Sequence, residues 1–160
     1  MKLLFIDEEL PVGEDYPGPR EAGADTKPYM WYYRHALDVK KVKYEVVVSL
    51  DDAVQALRER PSEFDVISID EIMPNGNGFS MEETRNTLRS GSALLKWIES
   101  NELSVFVFLF SNVPDELLTD ELADFKPIHL AGFQILNKPK VKPLEFVAKI
   151  LEAREEMKDG

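Results

Sequence analysis

With 160 residues, 44% of them hydrophobic, the chain holds enough apolar material for one domain with its own core. It has no cysteine, which excludes disulfides and thiolate metal sites, and its two histidines, His35 and His129, stand too far apart in sequence for a zinc cluster. A formal net charge of -11 opposes nonspecific binding of nucleic acid and favours a metal or a basic partner surface, and Met1-Lys2 leads into an apolar run too short for a signal sequence or a membrane span, so a reducing cytoplasmic setting is expected.

The elements alternate along the chain. Leu3-Leu4-Phe5-Ile6 reads as a first strand, followed by a Pro/Gly/acid-rich stretch from Leu10 to Lys27 with no apolar period, expected as a long loop. Pro28 suits the first turn of a helix whose Met30, Tyr33 and Leu37 share one face. Tyr44 to Val48 is a β-branched second strand. Ser49, with Asp52 three residues on, starts a helix carrying Ala53, Val54 and Leu57, and Pro61 closes it. Phe64 to Ile69 is a near-continuous apolar strand, the pattern of one buried on both faces of a parallel sheet.

Met73 to Gly78 is a turn region, after which Ser80 and Glu83 predict the cap of a short extra helix that Ser90-Gly91 interrupts. The next full helix is expected from Ala93, through Leu94, Trp97 and Ile98. Ser104 to Phe110 is the most hydrophobic strand and belongs at or beside the sheet centre. Pro114-Asp115-Glu116 opens a helix with acids in its first turn, Phe133 to Leu136 is a last strand, and Leu144, Val147, Ile150 and Leu151 mark the buried face of a closing helix with an exposed end over Glu152 to Gly160. Strict alternation of five strands with five helices predicts a doubly wound parallel sheet, because parallel neighbours need crossover helices.

Four of these strands end in reactive groups: Asp7-Glu8, Asp70, Ser111 and Asn137-Lys138-Pro139. Parallel strands bring such ends into one crevice. There Asp70 is the candidate nucleophile toward phosphorus, provided a metal screens the repulsion between two anions. Asp7 and Glu8, with Asp70 and the backbone carbonyl of Ile72, form an oxygen donor set suited to magnesium, or manganese in its place. Lys138 supplies a mobile point charge and Ser111 a hydroxyl donor for a phosphoryl oxygen. Taken singly, Asp70 is equally a strand-ending turn former, Ser111 a helix cap and Lys138-Pro139 punctuation; the run Lys138, Lys140 and Lys142 reads as a solvated edge plus one site lysine. The aromatic run Tyr29 to Tyr33 suggests a core-facing helix rather than base stacking.

Together these segments resemble the receiver domains of two-component response regulators. Leu3 to Glu9 is similar to that family's first strand and acidic pair. Asp70-Glu71-Ile72-Met73-Pro74-Asn75-Gly76-Asn77-Gly78 is similar to its phosphoacceptor motif, with Pro74 and Gly78 in register, while Ser111 and Lys138-Pro139 fall at its hydroxyl, lysine and proline positions. The resemblance implies a single receiver-like domain over residues 1–160 with strand order 2-1-3-4-5 and insertions at about 10–27 and 79–91. It implies a phosphoryl group accepted on Asp70 from a histidine kinase or phosphotransfer protein, by self-catalysed transfer rather than multiple turnover. It also implies signalling through the fourth helix, fifth strand and fifth helix to an output protein. With no second domain expected after the closing helix, that output runs through protein contacts; homodimer pairing is compatible with the pattern but not demanded by it. Neither nucleic acid nor membrane is an expected partner.

Departures from the family pattern qualify the expectation. The second acid is Glu8 where many members have Asp, Ile135 stands where many carry the Tyr or Phe that moves with the hydroxyl residue, and both insertions border the crevice. Ile72 and Val113, at positions that tune dephosphorylation in the family, are apolar and cannot orient a water, which predicts slow self-dephosphorylation. A phosphorylation-independent pseudo-receiver is the alternative reading. A receiver-derived metal-dependent phosphoesterase ranks below it, because the dehalogenase-type second Asp is missing from Asp7-Glu8-Glu9 and no histidine adjoins Asp70.

Overall fold

The computed structural model describes residues 2–16 and 27–159. Five parallel strands make one sheet in the order β2-β1-β3-β4-β5, with β1 at Leu3–Ile6, β2 at Tyr44–Val47, β3 at Val66–Ile69, β4 at Phe106–Ser111 and β5 at Gly132–Asn137. Five helices link and cover them: α1 Tyr29–Val39, α2 Leu50–Glu59, α3 Ser90–Ser100, α4 Asp115–Glu121 and α5 Pro143–Asp159. The doubly wound class is what the alternation of elements predicts, and the flavodoxin-like strand order is the one that the receiver resemblance implies. Among the described residues no helix is long and apolar enough to cross a membrane.

The period-two alternation of each strand sorts the core into two layers. Leu4, Ile6, Ile67, Ile69, Val107 and Leu109 pack with α2, α3 and α4, whereas Leu3, Phe5, Val66, Phe108 and Phe110 pack with α1 and α5. On the second side the ring of Phe146 in α5 stacks on Phe110 at 4.6 Å and on Phe5 at 5.1 Å, and Tyr33 of α1 meets Phe110 edge-on at 5.1 Å. The register sets the strand ends level. Ile6 lies opposite Ile69, and Ser111 lies opposite Asn137, so Asp7 leaves the sheet beside Asp70 and Lys138 follows directly on β5.

Helix α2 starts as its sequence predicts: the Ser49 hydroxyl accepts the Asp52 N–H at 3.2 Å. Four other expectations change. The Ser80–Glu83 capping pair forms in both directions, at 2.9 and 3.0 Å, but no α-helix follows it. Instead Arg85, Asn86 and Thr87 turn left-handed, with φ of 48, 57 and 72°. The turn is closed by N–H bonds reaching five residues back, Asn86 to Met81 and Arg89 to Thr84. Ser90-Gly91 does not interrupt a helix; it is the first turn of α3. Glycine is there for close approach, since a Cβ on Gly91 would stand 2.4 Å from the Asp70 carbonyl oxygen.

The buried face of α5 is rotated from its expected position. Phe146, Val147, Ile150 and Ala153 are buried, while Leu144 is 59% and Leu151 37% exposed. The large Phe146 fills the space between β1 and β4 and turns the helix toward itself, and Ala153 continues that face into the segment expected to be exposed.

Of the expected insertion after β1, residues 17–26 lie outside the described residues. The part from Leu10 to Tyr16 is not a plain loop: Gly13–Asp15 makes a 3-10 turn, and Leu10 and Tyr16 are buried. Tyr16 donates its hydroxyl to Asp38, the Arg34 guanidinium lies 4.1 Å above the Tyr16 ring, and Arg34 donates to the Pro11 carbonyl at 2.6 Å. This segment is therefore packed against α1 near β2.

Candidate functional site: a buried acid–lysine cluster

At the carboxyl ends of β1, β3 and β5 a lysine is enclosed with two aspartates. The Lys138 ammonium donates to Asp7 Oδ2 at 2.7 Å and lies 3.4 Å from Asp70 Oδ2. Lys138 and Asp7 are each 1% exposed and Asp70 is 7% exposed. The lysine expected to be mobile is thus pinned, because a buried ammonium must be held by its counter-ions. Lys140 and Lys142, as expected of a solvated edge, are exposed. Asp7 is fixed in turn by the Glu9 N–H, which donates to its other oxygen at 2.9 Å.

Two carboxylates share one cation, and the titration of Asp70 reflects it. Burial, then the charge of Asp7, raise the Asp70 pKa to about 7, against the opposing pull of Lys138. For Lys138, burial disfavours the ammonium, but Asp7 and Asp70 outweigh it and the pKa is raised. Glu8 is exposed, lining a cleft of about 500 Å³ with Glu9, Glu14, Lys27 and Trp31, and its pKa is raised by burial and by Asp7. Ser111 is buried at the end of β4, where its hydroxyl accepts the Val113 N–H at 3.2 Å. Ile72 is 41% exposed, Val113 is buried, and Ile135 packs partly buried against the α4 side of the core.

The turn after Asp70 is held from α2. The Asp51 carboxylate accepts the N–H groups of Asn77, at 3.0 and 3.1 Å, and of Gly78, at 3.2 Å. Gly76 takes φ of 65° directly against that carboxylate, where a Cβ would come within 2.5 Å of Asp51 Oδ1. Pro74 is exposed, as is Pro139 beside Lys138.

Two sets of residues that the motif reading passes over also belong to the site. Glu71 is completely buried, and both its carboxylate oxygens accept from Ser92, from the N–H at 2.7 Å and from the hydroxyl at 2.5 Å. On the other side of the sheet, Tyr29 donates to the Lys138 carbonyl at 2.8 Å and Tyr33 to the Val141 carbonyl at 2.5 Å, bracing the lysine turn from α1. Within the aromatic run Trp31 and Tyr33 are buried in the core, Tyr33 bracing from there and Tyr29 from the surface, while Tyr32 is exposed. The sequence carries one signal for the first set, a glycine inside a helical pattern beside Ser92, and none for the second.

Among the described residues no three or more His, Cys, Asp or Glu side chains form a ready cage for a metal ion. The donor set nonetheless suits a small hard cation. Asp7 and Asp70 offer only oxygens, and magnesium characteristically takes one or two carboxylates and keeps its waters, whereas Glu8 lines the cleft beside Trp31 and does not complete a three-carboxylate set. No protein-family model matches the chain, and neither does any curated protein or any solved structure.

Proposed function

We propose that this chain is a receiver-type phosphoacceptor that takes a phosphoryl group on Asp70 and signals through protein contacts. The observation carrying this reading is the buried Lys138 ammonium, at the end of β5, lying 2.7 and 3.4 Å from Asp7 and Asp70 at the carboxyl ends of the adjacent strands β1 and β3. Such a cluster is costly for stability and is better explained by chemistry than by packing. In the reaction an Asp70 oxygen forms a bond to phosphorus as the bond to the donor's leaving group breaks. With phosphohistidine as donor, the imidazole nitrogen departs with the electron pair and takes a proton from water.

Lys138 stabilises the phosphoryl oxygens and Ser111 offers them a hydroxyl, while Asp7 keeps Lys138 charged and aimed. Asp7, Asp70 and the carbonyl of Ile72 would hold magnesium, which screens the charge between carboxylate and phosphoryl group when bound. Ile72 and Val113 present no group that orients a water, so the acyl phosphate is expected to persist. A histidine kinase or phosphotransfer protein is the proposed donor, and the chain's role is that of a switch rather than a turnover enzyme.

The test is intact mass after incubation with acetyl phosphate and magnesium chloride, for the parent and Asp70→Asn side by side. One base-labile phosphoryl adduct on the parent and none on the variant is the expected result. An unmodified parent would overturn the reading. It would favour a pseudo-receiver, an interaction module for which the Lys138 ammonium itself closes the site by bridging the two carboxylates.

A further inference from the structure

We propose that Glu71 is a positioning residue for Asp70: it clamps the end of β3 to the first turn of α3 and so fixes where the Asp70 carboxylate stands. The inference rests on the receiver reading for its chemical consequence, but not for its geometry. Three hydrogen bonds join Glu71 to two successive residues of α3. Its carboxylate oxygens accept the Ser92 N–H at 2.7 Å and the Ser92 hydroxyl at 2.5 Å, and its carbonyl accepts the Gly91 N–H at 3.0 Å.

The same helical turn touches the residues on either side of Glu71. Gly91 lies so close to the Asp70 carbonyl oxygen that a Cβ would stand 2.4 Å from it, and the Ser90 hydroxyl donates to the Met73 carbonyl at 2.5 Å. The segment from Asp70 to Met73 is therefore fastened at three levels by Ser90, Gly91 and Ser92.

A clamp of this kind needs no carboxylate if packing is its sole purpose. Glu71 is 0% exposed, and an apolar side chain at that position would avoid the desolvation of a charge. What the carboxylate supplies is direction, because two oxygens that each accept one bond from Ser92 leave no freedom to rotate about the strand end. The beneficiary is the adjacent Asp70. Its oxygen stands 3.4 Å from Lys138, whereas Asp7 is drawn in to 2.7 Å. Asp70 is thus held farther from the ammonium than Asp7 is, and its carboxylate is the less engaged of the two for attack on phosphorus.

The experiment compares the parent chain with Glu71→Ala, Glu71→Gln and Ser92→Ala, following adduct formation across a range of acetyl phosphate concentrations with magnesium chloride. Misplacing a nucleophile by a fraction of an ångström lowers the saturating rate more than the apparent affinity. Glu71→Ala is expected to lose about tenfold or more in the saturating rate constant with the half-saturating concentration within about twofold of the parent. Glu71→Gln, whose amide can accept from the Ser92 N–H and donate to its hydroxyl, is expected to recover most of that loss. Should Glu71→Ala fail to fold, Ser92→Ala, which removes a single hydrogen bond, decides the matter by a smaller loss of the same kind.

Parent-like rates in these variants, or equal losses in the Ala and Gln variants, would overturn the inference. If the parent takes up no phosphoryl group at all, the receiver reading fails by itself. Crystal structures of the parent and of Ser92→Ala then decide the clamp: an Asp70 carboxylate displaced relative to Lys138 supports it, and an unchanged one overturns it.

Discussion

Lys138 carries the positive charge between two buried acids, and substitutions there separate charge from bulk. Lys138→Met keeps the stem but leaves Asp7 and Asp70 facing each other without a cation. Breaking a buried pair in this way is expected to cost about 3–5 kcal/mol in urea unfolding at pH 8; a loss below about 1 kcal/mol would show that the two acids escape repulsion without Lys138, by taking up a proton or by contact with water. Asp70 acts in the opposite sense. Its pKa rises from 3.8 unfolded to about 7 folded, so the stability it contributes is fully present below pH 4 and is lost as pH climbs through 7. The whole difference amounts to roughly 4 kcal/mol. Asp70→Asn should therefore melt above the parent at pH 8 and close to it at pH 4, as followed by circular dichroism. Equal melting points at pH 8 would mean that Lys138 already compensates the charge in full.

Among the elements, α5 shows how one side chain decides a helix's orientation. Its apolar pattern permits two faces, one through Leu144 and Leu151 and one through Phe146, Val147, Ile150 and Ala153, and the second is buried. Phe146 wins because its ring stacks on both Phe5 and Phe110, a contact no leucine can reproduce. Truncation to Phe146→Ala should destabilise by about 3–5 kcal/mol, while Leu144→Ala should stay within about 0.5 kcal/mol of the parent in the same urea titration. A large effect at Leu144 would contradict the observed face. The turn at Arg85 to Thr87 is a second decision made away from its own residues. Three successive left-handed residues without a glycine are intrinsically unfavourable. They are held by the N–H groups of Asn86 and Arg89, each donating at 2.8 Å to the carbonyl five residues back, and by Arg85, paired with Glu121 of α4 at 3.0 Å.

Across the whole molecule the charge of -11 makes self-repulsion general, but the buried aspartates make one place especially short of cations. Added salt of any kind should raise the melting temperature by screening. A few millimolar magnesium chloride should raise it further than sodium chloride of equal ionic strength, because a ligand of the folded state alone stabilises it by mass action. Thermal melts at pH 8 check this, and the magnesium-specific part should vanish in Asp7→Ala. Identical shifts with both salts would remove the case for a metal at Asp7 and Asp70.

The sequence by itself determined the five strands, the five linking helices and the parallel, doubly wound class, though not the left-handed turn that replaces a helix after Ser80, because apolar runs, caps and alternation are local properties that backbone and burial rules read directly. It also placed Asp7, Asp70, Ser111 and Lys138 at strand ends, and a parallel register leaves few ways for those ends not to meet. Only the tertiary structure decided that Lys138 is locked to Asp7 rather than mobile. Only there does Gly91 prove to be a point of contact with Asp70, and Glu71 with Ser92, and Tyr29 with Tyr33, prove to brace the site from two sides. Those facts depend on contacts between residues distant in sequence, such as the Tyr29 hydroxyl on the Lys138 carbonyl. No periodicity or spacing records such a contact, since it exists once the sheet has brought the two segments together.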